Sequence, residues 1–456
     1  MLFLTIAAAL ANAPSVFVVK PCTDPANAAI ATCGSVEVAE DREKPNGRRI
    51  SLNVIVLPAE SPAPHLPPLF DIEGGPGLAV TKNARFYMGE GAAYRKRRDI
   101  VMVDQRGTGG SNPLNCPELA APQAAMKPLY PIKAVSRCRA SLERKADLTR
   151  YLTHDAVADL DAVRTALGYE RIDLNGLSYG TTVALRYLAT YPQRVRAAVL
   201  MGVAPPSAMP PANHATAAER AFDLLADECA AERLCSHLFD LRRDFALAVA
   251  RRSKARVGLS REMFAEKLRS LMYQPATARR IPWIVHAAAM GDLKPLLKAT
   301  RPVGPSPYYD GMYLSVTCAE GFALMDYHAA EAKARKTRFG DYRLRRQRAA
   351  CGVWSKGAAE PNFLAPIRSP AAILLISGEI DPVTPPAWAE ALAKALPNAR
   401  HVLIPASGHV FDGMSGIDSC FDPMVVGFLD TGDLKTIDPA CLVTMRPPPF
   451  ATGSEH

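Results

Sequence analysis

The 456-residue chain contains no Cys-x-x-Cys pair, no internal repeat and no low-complexity tract. The first absence removes the simplest zinc-binding and thioredoxin-like readings. The second removes solenoids and propellers. No zinc-finger or RNA-binding signature accompanies the short basic runs Arg95-Lys96-Arg97-Arg98 and Arg343 to Arg348. The formal net charge of +9 is therefore read as solvated basic faces and not as a nucleic-acid site. The apolar run from Met1 to Ala11 is too short to span a bilayer, so stable membrane insertion is not expected.

Hydrophobic residues make up 48% of the chain and charged residues 22%, as in ordinary globular proteins. The length suits one large domain with a sizeable insertion, or two domains. Residues 1–11 read MLFLTIAAALA, the apolar core and small-residue end of a secretory signal peptide, although the usual basic start is missing. Pro14 disfavours cleavage after Ala13, which makes Ala11 the expected cleavage point. Val18-Val19-Lys20-Pro21 before Cys22 lacks the small apolar pattern of a lipoprotein. The 10 cysteines form an even set, and beside a signal-like start they imply disulfides in an oxidising compartment. A secreted or periplasmic protein is expected. Pairing neighbours in chain order is the preferred connectivity, which the sequence itself leaves open.

The first strand pattern is Arg48 to Ala59, alternating and then continuously apolar. Pro68 to Ile72 and Asp99 to Val103 read as short buried strands, the first ending in Glu73-Gly74-Gly75-Pro76-Gly77. A helix is expected from Thr153, taken as its N-cap, to Gly168. Arg171 to Asn175 and Arg196 to Met201 are further strands, separated by a helix that reaches about Tyr191. The alternation then stops, and residues 204–370 read as a mostly helical insertion. It resumes with strands at Ala371 to Ser377 and Arg400 to Ile404. The pattern predicts a mostly parallel sheet with flanking helices, built from residues 35–203 and 371–445 and interrupted by a helical cap.

Gly176-Leu177-Ser178-Tyr179-Gly180 stands between an apolar strand and an amphipathic helix. A serine hydroxyl is a weak nucleophile unless a base takes its proton and the backbone presents Oγ. A sharp strand-to-helix turn presents it, and flanking glycines relieve the crowding. The required base and acid occur in the order Ser178, Asp381, His409, the last two just beyond later strands. Acyl transfer also needs two backbone donors for the oxyanion. One is the amide of Tyr179. Pro76 has no N–H, so the other is Gly75 or Gly77. Arg106 is expected to buttress the glycine loop.

Glu73-Gly74-Gly75-Pro76-Gly77, Asp104-Gln105-Arg106-Gly107-Thr108-Gly109, the serine motif, the stretch Gly378 to Pro385 and Gly408-His409 occur together. The set resembles the proline iminopeptidase and tripeptidyl aminopeptidase group of α/β-hydrolases. The stretch from Leu374 to Cys441 is most similar to the tripeptidyl aminopeptidase branch. The resemblance implies the α/β-hydrolase fold and cleavage of residues or short peptides from free peptide N-termini, without metal or organic cofactor. It also implies that Glu320, in Thr317-Cys318-Ala319-Glu320-Gly321, is the carboxylate facing the substrate ammonium. One departure is Glu73, where proline iminopeptidases carry His. The triad alone does not choose between amide and ester, so a carboxylesterase of small esters is the rival reading. A non-catalytic binding protein on the same fold is the second rival. Oligomeric state is not legible from the sequence.

Overall fold

The computed structural model describes residues 15–61, 65–120, 128–254, 259–301 and 306–453. The expected signal peptide, residues 1–11, lies outside them. The strands are β1 Phe17–Val19, β2 Thr32–Ala39, β3 Arg49–Leu57, β4 Leu69–Ile72, β5 Ile100–Val103, β6 Ile172–Leu177, β7 Val195–Met201, β8 Ala372–Gly378 and β9 Ala399–Ile404. They form one sheet in the order β1-β2-β3-β5-β4-β6-β7-β8-β9. Pairing is antiparallel from β1 to β5 through β3, and parallel from β5 to β9. Chain order reverses beside β4, between β5 and β6. Ligands of open α/β sheets bind at such switch points, beyond the carboxyl ends of the strands.

The parallel strands are apolar because both their faces are covered. In β5 the side chains alternate between two cores. Val101 and Val103 pack with Val157, Leu160 and Val183 of the helices Thr153–Ala166 and Tyr179–Thr190. Ile100 and Met102 pack with Met424, Val425 and Phe428 of the helix Asp422–Thr431 on the other face. β1 and β2 have no counterpart among the expected strands. In β2 the residues TCGSVEVA mix Gly, Ser, Thr and Glu, which gives little period-2 signal.

Between β7 and β8 every regular element is helical among the described residues. The helices Pro210–Ala231, Leu241–Lys254, Arg261–Leu271 and Ile281–Met290 enclose their own core around Phe222, Phe245, Phe264 and Ile284. Farther on, Met312, Leu314, Cys318, Cys351 and Trp354 join the core of the sheet. Disulfides link Cys22–Cys33, Cys116–Cys138, Cys229–Cys235, Cys318–Cys351 and Cys420–Cys441, the neighbour pairing preferred above. No described helix is long and apolar enough to cross a membrane.

The basic runs are solvated only in part: Lys96, Arg97, Arg345 and Arg348 are exposed, whereas Arg95 and Arg98 are buried. Arg98 is 1% exposed and donates to Asp173 and to the Leu429 carbonyl, joining β6 to the helix Asp422–Thr431. Arg345 pairs with Asp341 and Glu262, and Arg346 donates to the carbonyls of Leu129 and Tyr130. Buried or half-buried acceptors hold Arg98 and Arg346, whereas the Arg345–Glu262 pair lies exposed.

Candidate active site

Ser178 follows β6 directly and has φ 57° and ψ −122°, a backbone conformation that costs a non-glycine residue energy. Its N–H donates to the Met201 carbonyl of β7 at 2.9 Å, and its carbonyl accepts from Thr181 N–H at 2.9 Å. The turn needs its glycines. A Cβ on Gly180 would lie 2.1 Å from the Ile72 carbonyl oxygen, and one on Gly74 would lie 2.8 Å from Ser178 Cβ. The first turn of the helix and the loop after β4 thus close on the serine from two sides.

Asp381 follows β8 and His409 follows β9, and both are buried. His409 Nδ1–H donates to Asp381 Oδ2 at 2.7 Å. That oxygen also accepts from Thr384 Oγ1 at 2.6 Å, while Oδ1 accepts from Val383 N–H at 2.7 Å and Thr384 N–H at 2.9 Å. The carboxylate is thereby fixed in place, and the ring is held as the tautomer whose Nε2 is free to take a proton. No hydrogen bond joins Ser178 Oγ to His409 among the described residues. Such contacts are often long without substrate.

Ser178, Tyr179, Gly75, Glu320 and His409 line one cavity of about 690 Å³. Asp381 stands behind His409. Gly77 is not among the lining residues; its carbonyl accepts from Tyr309 N–H at 2.8 Å. Gly74 N–H donates to the Glu73 carboxylate at 3.0 Å and is therefore occupied. Neither Tyr179 N–H nor Gly75 N–H meets a protein acceptor among the described residues. Glu73 also accepts from Asn83 Nδ2, and its carbonyl accepts from Gln105 Nε2 at 2.9 Å. The residue that buttresses the glycine loop is thus Gln105. Arg106 is fully buried and structural, but it grips Asp159 through Nε and Nη2 at 2.6 and 2.7 Å. It thereby anchors the helix Thr153–Ala166 and leaves the glycine loop untouched.

Glu320 lies in a π-helical turn, Thr317–Phe322, and is 4% exposed. Its carboxylate accepts from Thr153 N–H at 2.7 Å and from Thr153 Oγ1. Thr153 is thus the first helical residue and not the N-cap. Its free N–H goes to a carboxylate from the insertion, where the helix dipole favours negative charge. Burial pushes the Glu320 carboxyl up to about 7 against these hydrogen bonds. Asp310, at the start of the helix Asp310–Val316, lines the same cavity and is likewise pushed by burial to about 7.

Sequence reasoning missed Asp310, His214, Arg269 and Arg343, all in the cavity wall. Their only signal was charge inside a helical insertion. The pairing that matters, Glu266 with Arg343, joins helices far apart in the chain.

Residues 67–232 match the family described as alpha/beta hydrolase fold, and residues 335–441 match the one described as TAP-like protein. The chain is 29% identical over 223 residues to serine protease Hip1 of Mycobacterium tuberculosis, covering 45% of this chain and 42% of that protein. It is 30% identical over 197 residues to tripeptidyl aminopeptidase of Streptomyces lividans, covering 38% and 36%. Against the probable proline iminopeptidase of Streptomyces coelicolor identity is 34% over 141 residues, covering 31% and 34%. The matched region spans less than half the length of each of these relatives. The strained serine after β6, the acid and histidine after β8 and β9, and the two matched regions agree: the chain has the α/β-hydrolase fold and is similar to the tripeptidyl aminopeptidases and proline iminopeptidases.

Proposed function

We propose that the protein is a serine exopeptidase that releases residues or short peptides from free peptide N-termini. Ser178 Oγ attacks the scissile carbonyl while His409 Nε2 takes its proton and passes it to the leaving amine. Asp381 holds the imidazole tautomer and stabilises the imidazolium. The amides of Tyr179 and Gly75 receive the oxyanion. Water, activated by the same histidine, then hydrolyses the acyl-enzyme. The carrying observation is the 2.7 Å Asp381–His409 pair, opening onto the cavity that Ser178 lines.

Glu320 is the partner of the substrate ammonium in this reading. It lines the same cavity, and the relatives named above include enzymes that act on N-termini. Five disulfides favour an oxidising compartment, so the site of action is secreted or periplasmic.

The test compares wild type with Ser178→Ala, using a fluorophosphonate probe and a free-amine peptide anilide. The variant should keep its circular dichroism spectrum, lose covalent labelling and lose roughly 10⁴- to 10⁶-fold in kcat. Undiminished labelling of folded Ser178→Ala would remove the serine from its role. Equal turnover of the anilide and its N-acetylated form would remove the exopeptidase reading.

A further inference from the structure

One wall of the cavity carries charge that the triad and Glu320 do not use. Arg269 and Arg343 both reach it, from the helices Arg261–Leu271 and Tyr342–Val353. Between them stands a single carboxylate, Glu266. Arg269 donates to it from Nη2 at 2.8 Å and Arg343 from Nε at 2.8 Å. Two guanidinium groups facing one carboxylate leave one uncompensated positive charge. Arginine is effectively always charged, so the excess cannot be titrated away. Arg343 spends Nε and Nη2 on Glu266, and its Nη1 has no hydrogen-bond partner among the described residues.

A second observation is independent of that charge. His214, on the helix Pro210–Ala231, lines the cavity and is 8% exposed, and its Nδ1 has no hydrogen-bond partner. A buried polar atom without a partner is uncommon and points to a missing ligand. Burial, then Arg269 and Arg343, push this imidazole well below its ordinary range. The ring is thus neutral, and one tautomer offers Nδ1–H as a donor.

The position of this cluster decides which part of a substrate it meets. Arg269 Nη1 donates to the Tyr273 hydroxyl at 3.1 Å, and the Tyr273 ring stands edge-on to His409 with centroids 5.3 Å apart. His409 is the group that protonates the leaving amine in the mechanism above. The cluster therefore adjoins the leaving-group side, whereas Glu320 is tied to Thr153 at the start of another helix.

We propose that Arg269, Arg343 and His214 form a subsite for a carboxylate on the leaving part of the peptide, an assignment that rests on the exopeptidase reading. The carboxylate has two possible sources: the C-terminus of a short peptide, or an acidic side chain just after the cleaved bond. A substrate held at both the free amine and this carboxylate is a short peptide, which orients the scissile bond by its two ends.

The experiment is calorimetric titration of full-length Ser178→Ala with alanine peptides of three to five residues. Each is supplied as the free acid, as the C-terminal amide, and as an amide with glutamate in the leaving part. The free acid or the glutamate amide should bind about ten- to a hundredfold tighter than the plain amide, the range of charge-assisted hydrogen bonds. Tighter binding of the free acid alone assigns the C-terminus, and of the glutamate amide alone the side chain. Adding Arg343→Gln should shrink the preference to within about threefold, and Arg343→Lys should retain part of it. Equal binding of all three forms overturns the subsite, as does a preference that survives folded Arg343→Gln, or no binding at all. If Arg343→Gln does not fold, the comparison of the three peptides in Ser178→Ala decides by itself. N-acetylated peptides that bind as well as free ones while keeping the carboxylate preference would sink the exopeptidase reading and leave the subsite standing.

Discussion

Glu320, the proposed partner of the substrate ammonium, also caps a helix. Its oxygens satisfy the N–H and hydroxyl of Thr153, and it faces the cavity with a carboxyl pushed to about 7. An ammonium is bound by the ionised form, so affinity for free-amine peptides should rise as pH climbs through about 7. It should fall again as the α-amino group loses its own proton near pH 7.7–8.0. The ratio of kcat/KM on a free-amine peptide to that on a neutral ester cancels the shared triad. It should peak between these values, and Glu320→Gln should flatten it and lower it about ten- to a hundredfold. A ratio insensitive to both pH and the substitution would move the anchor elsewhere, with Asp310 the next candidate in the wall. The same shift has a stability sign. A carboxyl raised from 4.5 to about 7 makes the folded state hold more protons than the unfolded one. Its contribution is complete below pH 4.5 and is lost as pH rises through about 7. Urea melts at pH 5 and pH 8 should show a smaller difference in Glu320→Gln, by up to about 3 kcal/mol.

At the scale of elements, the Cys318–Cys351 disulfide has a strategic place. It fastens the π-helical turn bearing Glu320 to the helix Tyr342–Val353, which begins beside Arg343. The two groups argued to hold the ends of a substrate are thus set relative to each other by one covalent link. Replacing both cysteines with serine opens a closure of 33 residues and should cost about 3–4 kcal/mol of stability. KM for peptides should rise about tenfold, because positioning is lost, while turnover of a small ester changes less than about threefold. Steady-state kinetics on the two substrates measures both. Elements also differ in how readily the sequence disclosed them. β4 and β5 are buried at every position and read as strands at once. β1, three residues long, and β2, with its mixed polar composition, gave no comparable pattern. The proposed triad was legible because its chemistry demands a serine at a strand-to-helix turn and partners beyond later strands. The meeting of Arg343 with the Glu266–Arg269 pair was not, since no local pattern links residues brought together only when separate helices pack.

Over the whole molecule, the disulfides share a property that has nothing to do with the cavity. Each joins a cysteine to the next one along the chain, and the separations run from 6 to 33 residues. A polypeptide threaded through a translocation pore from its N-terminus delivers its thiols in that same order. An oxidant that couples each newly arrived cysteine to the one waiting before it produces the complete native set without reshuffling. Cells lacking their disulfide isomerase should therefore yield as much active enzyme as normal cells, whereas cells lacking the thiol oxidant should yield far less. Non-reducing electrophoresis and activity of the exported protein from the two strains would record the difference. A strong dependence on the isomerase would mean that non-native bridges form first, despite the consecutive order of the pairs.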